Sequence, residues 1–209
     1  MYSEFTLKCD NLALIRGERL LFKQAAFELT NRQVLHIQGA NGTGKTSLLR
    51  VLCGIIEADE GELHWQQQPI EQTRQDFYLN TIYLGHQLGV KKAMTVEENL
   101  AFYQAMRPQS LSVSISEAIA QVGLAGFEQQ WVANLSQGQK RRVSLARLLL
   151  ESAPLWILDE PFVALDVKGQ SWLAQHFEAH RERGGSIIFT SHQPVELACD
   201  VQKLVIGAQ

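Results

Sequence analysis

Long apolar runs are absent from the 209-residue sequence, and only three of its residues are cysteine. A membrane-spanning helix needs about 20 consecutive apolar residues, so the sequence predicts no such helix. Residues 1–4 do not form a basic segment that leads into an apolar stretch, which is how a secretory signal peptide begins. We therefore expect a cytoplasmic chain that reaches a membrane only through a partner.

The three cysteines, Cys9, Cys53 and Cys199, are scattered and lack the spacing of metal ligands. An odd and sparse set is typical of a reducing compartment and argues against a disulfide framework. We expect each to be a small buried hydrophobic side chain rather than a reactive thiol.

An excess of positive charge is also missing. The formal net charge is −3 and the sequence pI is about 6.1, which argues against nucleic-acid binding through broad positive charge. Hydrophobic residues make up 45% of the chain and charged residues 20%, as in ordinary globular proteins. The length suits one sizeable core with at most a small inserted subdomain.

Short strand-like segments alternate with segments of helical periodicity. The predicted strands are residues 5–8, 26–29, 34–37, 81–84, 155–158 and 186–190. The predicted helices are residues 45–53, 96–103, 117–122, 138–150 and 169–183. Thr95 and Glu98 form a capping-box pattern at the start of the second helix.

This order predicts an α/β fold with a mainly parallel sheet covered on both faces. The first strands, around a polar turn at residues 16–18, are predicted to be antiparallel. The block at about 88–150 changes to helical character and is predicted to be a helical subdomain inserted into the sheet. We expect residues 1–209 to form a single domain.

A glycine-rich pattern, G-x-x-x-x-G-K-[ST], lies between the third predicted strand and the first predicted helix. Its members are Gly39, Ala40, Asn41, Gly42, Thr43, Gly44, Lys45 and Thr46. Glycines let the backbone wrap around a phosphate with its N–H groups inward, and the helix adds its positive N-terminal end. Lys45 would reach the β- and γ-phosphates, and the Thr46 hydroxyl would ligate Mg²⁺. Chance alone would produce the pattern in about 1% of chains of this size.

Two adjacent acids, Asp159 and Glu160, end the apolar strand at residues 155–158. Near the carboxyl end of a strand both side chains can face the same cleft. Asp159 would hold Mg²⁺ through its water shell, and Glu160 would polarise an attacking water. An alternative is that the acids merely end a strand at the surface, but phosphoryl transfer to water needs such acids beside a phosphate loop.

The segment 135–139, Leu-Ser-Gln-Gly-Gln, precedes the helix at 138–150, and Ser136 alone would pass as its N-cap. Followed by the basic helix and the Asp-Glu strand, the segment resembles the signature region of ATP-binding cassette (ABC) proteins. Gln137 replaces one glycine of the family pattern. The resemblance implies that Ser136 and Gly138 close over the nucleotide bound to a second copy, so that the site is complete only in a homodimer.

Further segments resemble this family by order and spacing. Residues 164–166, Ala-Leu-Asp, resemble its D-loop, and His192 resembles its switch histidine, which implies a contact to the γ-phosphate. Residues 85–87 occupy the position of its Q-loop, which senses the metal and transmits movement to the membrane partner. Spacing favours His86 for the metal-sensing role and chemistry favours Gln87; we predict Gln87.

The base-stacking position of the family, just before the glycine of the first hairpin, is occupied by Arg16. A guanidinium can stack on a base, so Arg16 is the predicted adenine contact. The resemblance thus implies that the cofactors are ATP and Mg²⁺ and that the reaction is ATP hydrolysis. It extends from residue 16 to residue 192.

Within the family, the chain resembles ATP-binding subunits of bacterial cytochrome c maturation systems. The resemblance is carried by residues 83–91, 123–128, 155–162 and 190–194. It implies a subunit on the cytoplasmic face of the inner membrane, bound to an integral-membrane permease, whose hydrolysis of ATP supports haem delivery or export. No Cys-x-x-Cys-His pattern is present and the six histidines are dispersed, so haem is expected to bind elsewhere.

Other classes fit less well. A chromosome or DNA-repair cassette would need a long coiled-coil insertion, and the 88–150 block is too short and lacks heptads. A translation-associated protein would carry two cassettes in one chain. The nearer alternative is the ATPase subunit of another transporter, such as a small importer or a lipoprotein-release system.

Overall fold

The computed structural model describes residues 1–107, 113–192 and 194–207. The strands are β1 (Thr6–Arg16), β2 (Arg19–Thr30), β3 (Val34–Gln38), β4 (Glu60–Trp65), β5 (Gln68–Pro69), β6 (Thr81–Leu84), β7 (Leu155–Leu158), β8 (Ser186–Thr190) and β9 (Val201–Val205). The helices are α1 (Lys45–Leu52), α2 (Ile70–Leu79), α3 (Val96–Ala105), α4 (Ile115–Gln121), α5 (Gln137–Leu150) and α6 (Val167–Glu182), with a 3₁₀ turn at Val132–Asn134. The predicted α/β class is confirmed.

A five-stranded sheet, in the order β6-β7-β8-β3-β9, carries the glycine-rich loop and the acidic pair at its strand ends. Strands β7, β8, β3 and β9 pair in parallel. Every residue of β7 and β8 is buried, as expected for a parallel strand covered on both faces. Because parallel strands end at the same edge, residues that follow β3, β7 and β8 meet there.

A four-stranded antiparallel sheet, in the order β2-β1-β4-β5, begins with a hairpin. Its turn contains Gly17, whose φ of 63° favours a residue without Cβ. The core of this region draws side chains from both sheets and from α1, including Leu7, Leu48 and Ile157, all with 0% exposure. The predicted antiparallel N-terminal strands are confirmed.

Capping boxes begin three helices. Thr95 accepts the N–H of Glu98 at 3.2 Å, and the Glu98 carboxylate accepts the N–H of Thr95 at 2.8 Å. The same reciprocal pair begins α4 at Ser114 and α5 at Ser136. The box at Thr95 is the one that the sequence predicts.

The strands β4, β5 and β9 and the helix α2 were not predicted from the sequence. Strand β4 begins with three exposed residues, and β9 lies at the sheet edge with no fully buried residue, so neither has the apolar run of a core strand. Helix α2 has non-helical dihedral angles at Thr73, which interrupt its periodicity. The apolar pattern on which sequence reasoning depends is weak in all of these segments.

The chain divides into two compact units. The first consists of the described parts of Met1–Tyr83, Ala153–Pro161 and His176–Gln209. The second consists of the described parts of Leu84–Ser152 and Phe162–Gln175, and its core is formed mainly by α3, α4 and α5. Within the described ranges, no helix has the length and apolar character needed to cross a bilayer.

Candidate active site

The glycine-rich loop connects β3 to α1 in the first unit. Lys45 is buried, and its ammonium group donates to the carbonyl oxygens of Gly39 at 2.8 Å and of Ala40 at 3.1 Å. The Thr43 hydroxyl also donates to Ala40 O, at 2.9 Å. The lysine ammonium group therefore lies against the backbone of the loop, where its charge would attract a phosphate bound there.

Two glycines of the loop lie where a side chain would not fit. A Cβ at Gly39 would lie 2.5 Å from the carbonyl oxygen of Ile206 and 2.6 Å from the Thr43 hydroxyl. Gly44 has a φ of 97°, and a Cβ there would lie 3.0 Å from Leu21. The backbone of the loop is thus held closely against its surroundings, and α1 begins at the next residue with its N–H groups facing the loop.

Asp159, which follows β7, joins the loop to the end of β8. Its two carboxylate oxygens accept the hydroxyl of Thr46 at 2.7 Å and the hydroxyl of Thr190 at 2.8 Å. Asp159 is only 1% exposed. A hydroxyl and a carboxylate oxygen are thereby held side by side at the start of α1, and both are hard oxygen donors.

Glu160 has an uncommon backbone conformation. Its φ is 49°, in the left-handed region that a residue with a Cβ seldom adopts, and its N–H donates to the Thr190 hydroxyl at 2.9 Å. Strained dihedral angles of this kind cluster at functional sites. The conformation places the Glu160 carboxylate 2.6 Å from Nε2 of His192.

The phenol of Tyr83 lies near Asp159. Burial, with the nearby Cys53 thiol and Asp159 carboxylate, raises the pKa of Tyr83 to about 12. The phenol therefore stays neutral at physiological pH and adds no negative charge beside Asp159.

Arg16 lies at the end of β1, opposite Arg19 across the hairpin, and is exposed. The Arg19 guanidinium lies beside the tip of the glycine-rich loop, because a Cβ at Gly42 would be 3.7 Å from its Nη2. The position of Arg19 beside the loop was not predicted from the sequence, and the adenine contact of Arg16 stays a prediction. The hairpin register, which decides which arginine is near the loop, is not visible in the sequence.

The second unit contains Ser136 and Gly138 at the start of α5. The Ser136 hydroxyl accepts the N–H of Gln139 at 3.2 Å, and Ser136 itself is exposed. A Cβ at Gly138 would lie 2.9 Å from the carbonyl oxygen of Ala164, so that the loop at 164–166 lies directly against this helix. Helix α5 therefore begins at two exposed residues, Ser136 and Gln137, and a helix N-terminus can accept an anion.

An ion pair fastens the 164–166 loop to α5. Arg142 Nη2 lies 2.5 Å from Oδ1 of Asp166, and Arg142 Nη1 donates to Val122 O at 2.8 Å. Asp166 Oδ1 also accepts the N–H of Gly169 at 2.9 Å. The segments resembling a signature region and a D-loop are therefore brought together within one unit.

His86 and Gln87 lie in a bend after β6, and both side chains are exposed. Both belong to the second unit. The choice of Gln87 over His86 as the metal-sensing residue stays a prediction.

Taken together, the first unit combines an anion-binding loop, a buried lysine and two acids with a histidine beside one of them. This arrangement suits phosphoryl transfer from a nucleoside triphosphate to water.

Comparison with known proteins supports this chemistry. The profile of the ABC transporter family matches residues 22–163, which is more than half of the chain. The chain belongs to the ABC transporter family.

Curated relatives narrow the comparison. The cytochrome c biogenesis ATP-binding export protein CcmA of Yersinia pestis is 47% identical over 202 residues, covering 96% of this chain and 93% of that protein. The protein of the same name from Vibrio cholerae is 47% identical over 188 residues, covering 90% of this chain and 91% of its own length.

Solved structures show the fold of this ABC family member. A putative ABC transporter ATP-binding protein from Pyrococcus furiosus has a TM-score of 0.79 at 24% identity, covering 95% of this chain and 97% of its own. A dimeric ATP-binding cassette in a post-hydrolysis state with ADP and Pi has a TM-score of 0.76 at 20% identity, covering 90% and 88%. The predicted P-loop cassette fold is therefore confirmed.

Thr190 was not predicted to be a site residue, but the structure shows that it contacts both acids. Its hydroxyl donates to Asp159 and accepts the N–H of Glu160, so one side chain orients both acids of this ABC cassette. The signal in the sequence that could have identified Thr190 was its position at the end of β8, two residues before His192.

The donor set also fits a magnesium ion. Thr46 and Asp159 supply two protein oxygens, and the described residues contain no cluster of three or more His, Cys, Asp or Glu side chains able to hold a metal. Mg²⁺ usually binds through one or two protein groups, with phosphate oxygens and waters completing its shell.

Proposed function

We propose that this chain is the ATP-hydrolysing subunit of a membrane complex for c-type cytochrome biogenesis. The observation that carries the proposal is the connected set Thr46, Asp159, Thr190, Glu160 and His192, which joins three strand and helix ends into one site. Identity of 47% to cytochrome c biogenesis ATP-binding export proteins, over nearly the whole chain, supports the biological assignment.

ATP binds with its phosphates in the loop of residues 39–46. The loop N–H groups and the α1 N-terminus donate to phosphate oxygens, and Lys45 exchanges its two carbonyl partners for the β- and γ-phosphates. Arg16 stacks on the adenine. Thr46 and Asp159 would hold Mg²⁺, which supplies positive charge to neutralise the phosphate oxygens.

Glu160 accepts the proton of the attacking water, and the products are ADP and phosphate. Its carboxylate is well placed for this role, because the Thr190 contact fixes its backbone and His192 fixes one carboxylate oxygen. His192, which is partly exposed, contacts the γ-phosphate and orients Glu160 toward the water. Gln87, in the loop after β6, would sense the bound Mg²⁺ through its amide oxygen.

A second copy of the chain completes the site. The first turn of α5, with Ser136 and Gly138, offers an exposed helix N-terminus to the γ-phosphate bound by the other copy. Closure of the dimer on ATP and opening after hydrolysis transmit force to the permease. Residues 1–209 form one ATP-binding domain in this scheme, with residues 88–150 as its inserted helical subdomain.

The partner is an integral-membrane permease of a cytochrome c maturation complex, and the chain lies on the cytoplasmic face of the bacterial inner membrane. Haem is delivered or exported by the complex and binds outside this chain. In a strain lacking the natural gene, the wild-type chain is expected to restore covalent haem in c-type cytochromes and to co-purify with its permease. A Lys45→Ala variant is expected to co-purify but not to restore haem.

The matched control is Lys23→Ala, which removes an exposed lysine of β2 outside the loop. In equilibrium titration with ATP, Lys45→Ala should lose most of the affinity while Lys23→Ala keeps it. Restoration of haem by Lys45→Ala would contradict the proposal. Co-purification of the wild-type chain with the permease of an importer or a lipoprotein-release system would instead favour that alternative.

A further inference from the structure

Helix α3 holds the loop that follows His86 and Gln87 through a fully buried asparagine. Asn99 Oδ1 accepts the N–H of Lys91 at 2.7 Å, and Asn99 Nδ2 donates to the carbonyl oxygens of Lys91 at 3.0 Å and Thr95 at 2.9 Å. Both backbone groups of Lys91 are therefore bonded to one side chain with 0% exposure. The Lys91 end of the loop is anchored to the first half of α3.

Tyr103 holds the same loop two residues earlier. It lies four residues after Asn99 and so on the same face of α3. Its hydroxyl donates to the carbonyl oxygen of Gly89 at 2.5 Å. Gly89 has a φ of 70°, and a Cβ there would lie 2.9 Å from the Tyr103 hydroxyl, so the contact depends on glycine at this position.

The ring of Tyr103 also contacts α5. The Arg147 guanidinium carbon lies 3.7 Å from the ring centroid. Arg147 is itself held by Glu151, whose two carboxylate oxygens accept Arg147 Nε at 2.5 Å and Arg107 Nε at 2.9 Å. Glu151 is 1% exposed, so the stacked guanidinium has little freedom to move.

We infer that Tyr103 is a positioning residue that makes the segment 87–91 move together with helix α5. Its hydroxyl bonds the backbone of the segment, and its ring receives Arg147 from the last turn of α5. The first turn of that helix carries Ser136. Because a helix is stiff along its axis, displacement of Ser136 by a bound nucleotide is transmitted to Tyr103 and from there to the Gln87 loop.

The inference rests on the proposed function for the roles of Ser136 and Gln87, but the contact itself can be tested without it. In Tyr103→Phe the ring and the Arg147 stack are retained and only the hydroxyl is lost. Hydrogen–deuterium exchange of the Lys91 amide should become about fivefold faster, since one hydrogen bond that restrains loop opening is gone. Exchange of the α5 amides should stay at the wild-type rate.

Two further variants sharpen this test. Tyr78→Phe removes a hydroxyl from α2 in the other unit and should leave Lys91 exchange unchanged. Arg147→Lys keeps a positive charge for Glu151 but loses the flat guanidinium over Tyr103, and it should also speed Lys91 exchange. Wild-type exchange at Lys91 in Tyr103→Phe would overturn the inference.

The effect of Tyr103 on the proposed function is tested with the complex of this chain and its membrane partner. Tyr103→Phe should bind ATP with wild-type affinity, yet the stimulation of ATPase activity by the membrane partner should fall about fivefold, in proportion to the loosened loop. Faster exchange at Lys91 with unchanged stimulation of ATPase activity would contradict the inferred coupling between the segment 87–91 and helix α5. If wild-type chain hydrolyses no ATP, the proposed function fails, whereas the exchange data still decide whether Tyr103 holds the loop.

Discussion

His192 Nε2 lies 2.6 Å from Oε1 of Glu160, although the two residues follow different strands. The contact orients the carboxylate from the end of β8, while the Thr190 hydroxyl fixes the Glu160 backbone. A general base works only when it is held within hydrogen-bond reach of the proton that it removes. His192 and Thr190 therefore position the carboxylate that we propose as the general base, and substitution of either residue removes its contact to Glu160.

For Glu160→Gln we expect ATP affinity close to wild type and a turnover rate at least 100-fold lower, because the amide cannot accept the proton of water. The variant should also remain a closed dimer with MgATP, visible by size-exclusion chromatography.

His192→Ala should lower turnover while leaving the ATP affinity of the loop in place. Steady-state ATPase assays and equilibrium titration measure both effects.

The control for this series is Glu182→Gln, which removes an exposed carboxylate at the end of α6 and should keep wild-type turnover. Rapid ATP hydrolysis by Glu160→Gln would show that Glu160 is not the general base.

Mixed dimers test whether Ser136 acts on the other copy. Lys45→Ala and Ser136→Arg homodimers should both be inactive, because each damages both sites. A heterodimer of the two has one site with an intact loop from one copy and an intact Ser136 from the other, so partial ATPase activity should return. An isolated heterodimer that stays inactive would show that the arrangement is not in trans or that one site cannot turn over alone.

Magnesium dependence separates Gln87 from His86. An amide oxygen suits Mg²⁺ better than an imidazole nitrogen, so Gln87→Ala should need a higher Mg²⁺ concentration for half-maximal ATPase activity. His86→Ala should keep the wild-type requirement and lose stimulation by the membrane partner. If only the His86→Ala variant needs more Mg²⁺, then His86, the residue that spacing favours, is the metal-sensing residue instead of Gln87.

His180 makes stability depend on pH. It is 0% exposed, its ring stacks on Trp156 at 3.8 Å between centroids, and Nε2 lies 3.0 Å from Pro154 O. A carbonyl can only accept, so Nε2 carries a proton. Burial lowers the pKa of His180 from 6.5 to about 3, so the ring is neutral at physiological pH.

The unfolded chain therefore binds a proton on His180 below about pH 6.5, whereas the folded chain does not until about pH 3. The neutral ring makes its full contribution to the free energy of unfolding above pH 6.5. That contribution decreases as the pH falls, by up to about 1.4 kcal/mol per pH unit. In His180→Phe the ring stack is kept and titration is removed. Its unfolding free energy, from urea titrations between pH 6.5 and 4, should fall less steeply than that of wild type; equal slopes would contradict the assignment.

Several parts of the fold follow from local pattern. The buried strands β7 and β8 were predicted at their observed bounds because their unbroken apolar runs allow few other structures. The capping box at Thr95 needed only two residues three positions apart. The edge strand β9 was missed because half-exposed residues have no such pattern.

By itself, the sequence determined the chemistry of the loop at residues 39–46 and of the Asp159–Glu160 pair, because glycine spacing and strand-end acids are local properties. Tertiary structure alone decided that Thr190 serves both acids, that Arg19 lies beside Gly42, and that Tyr103 joins Gly89 to Arg147. These contacts join residues from different elements. Sheet order, hairpin register and helix packing bring them together, and those depend on the burial of the whole core.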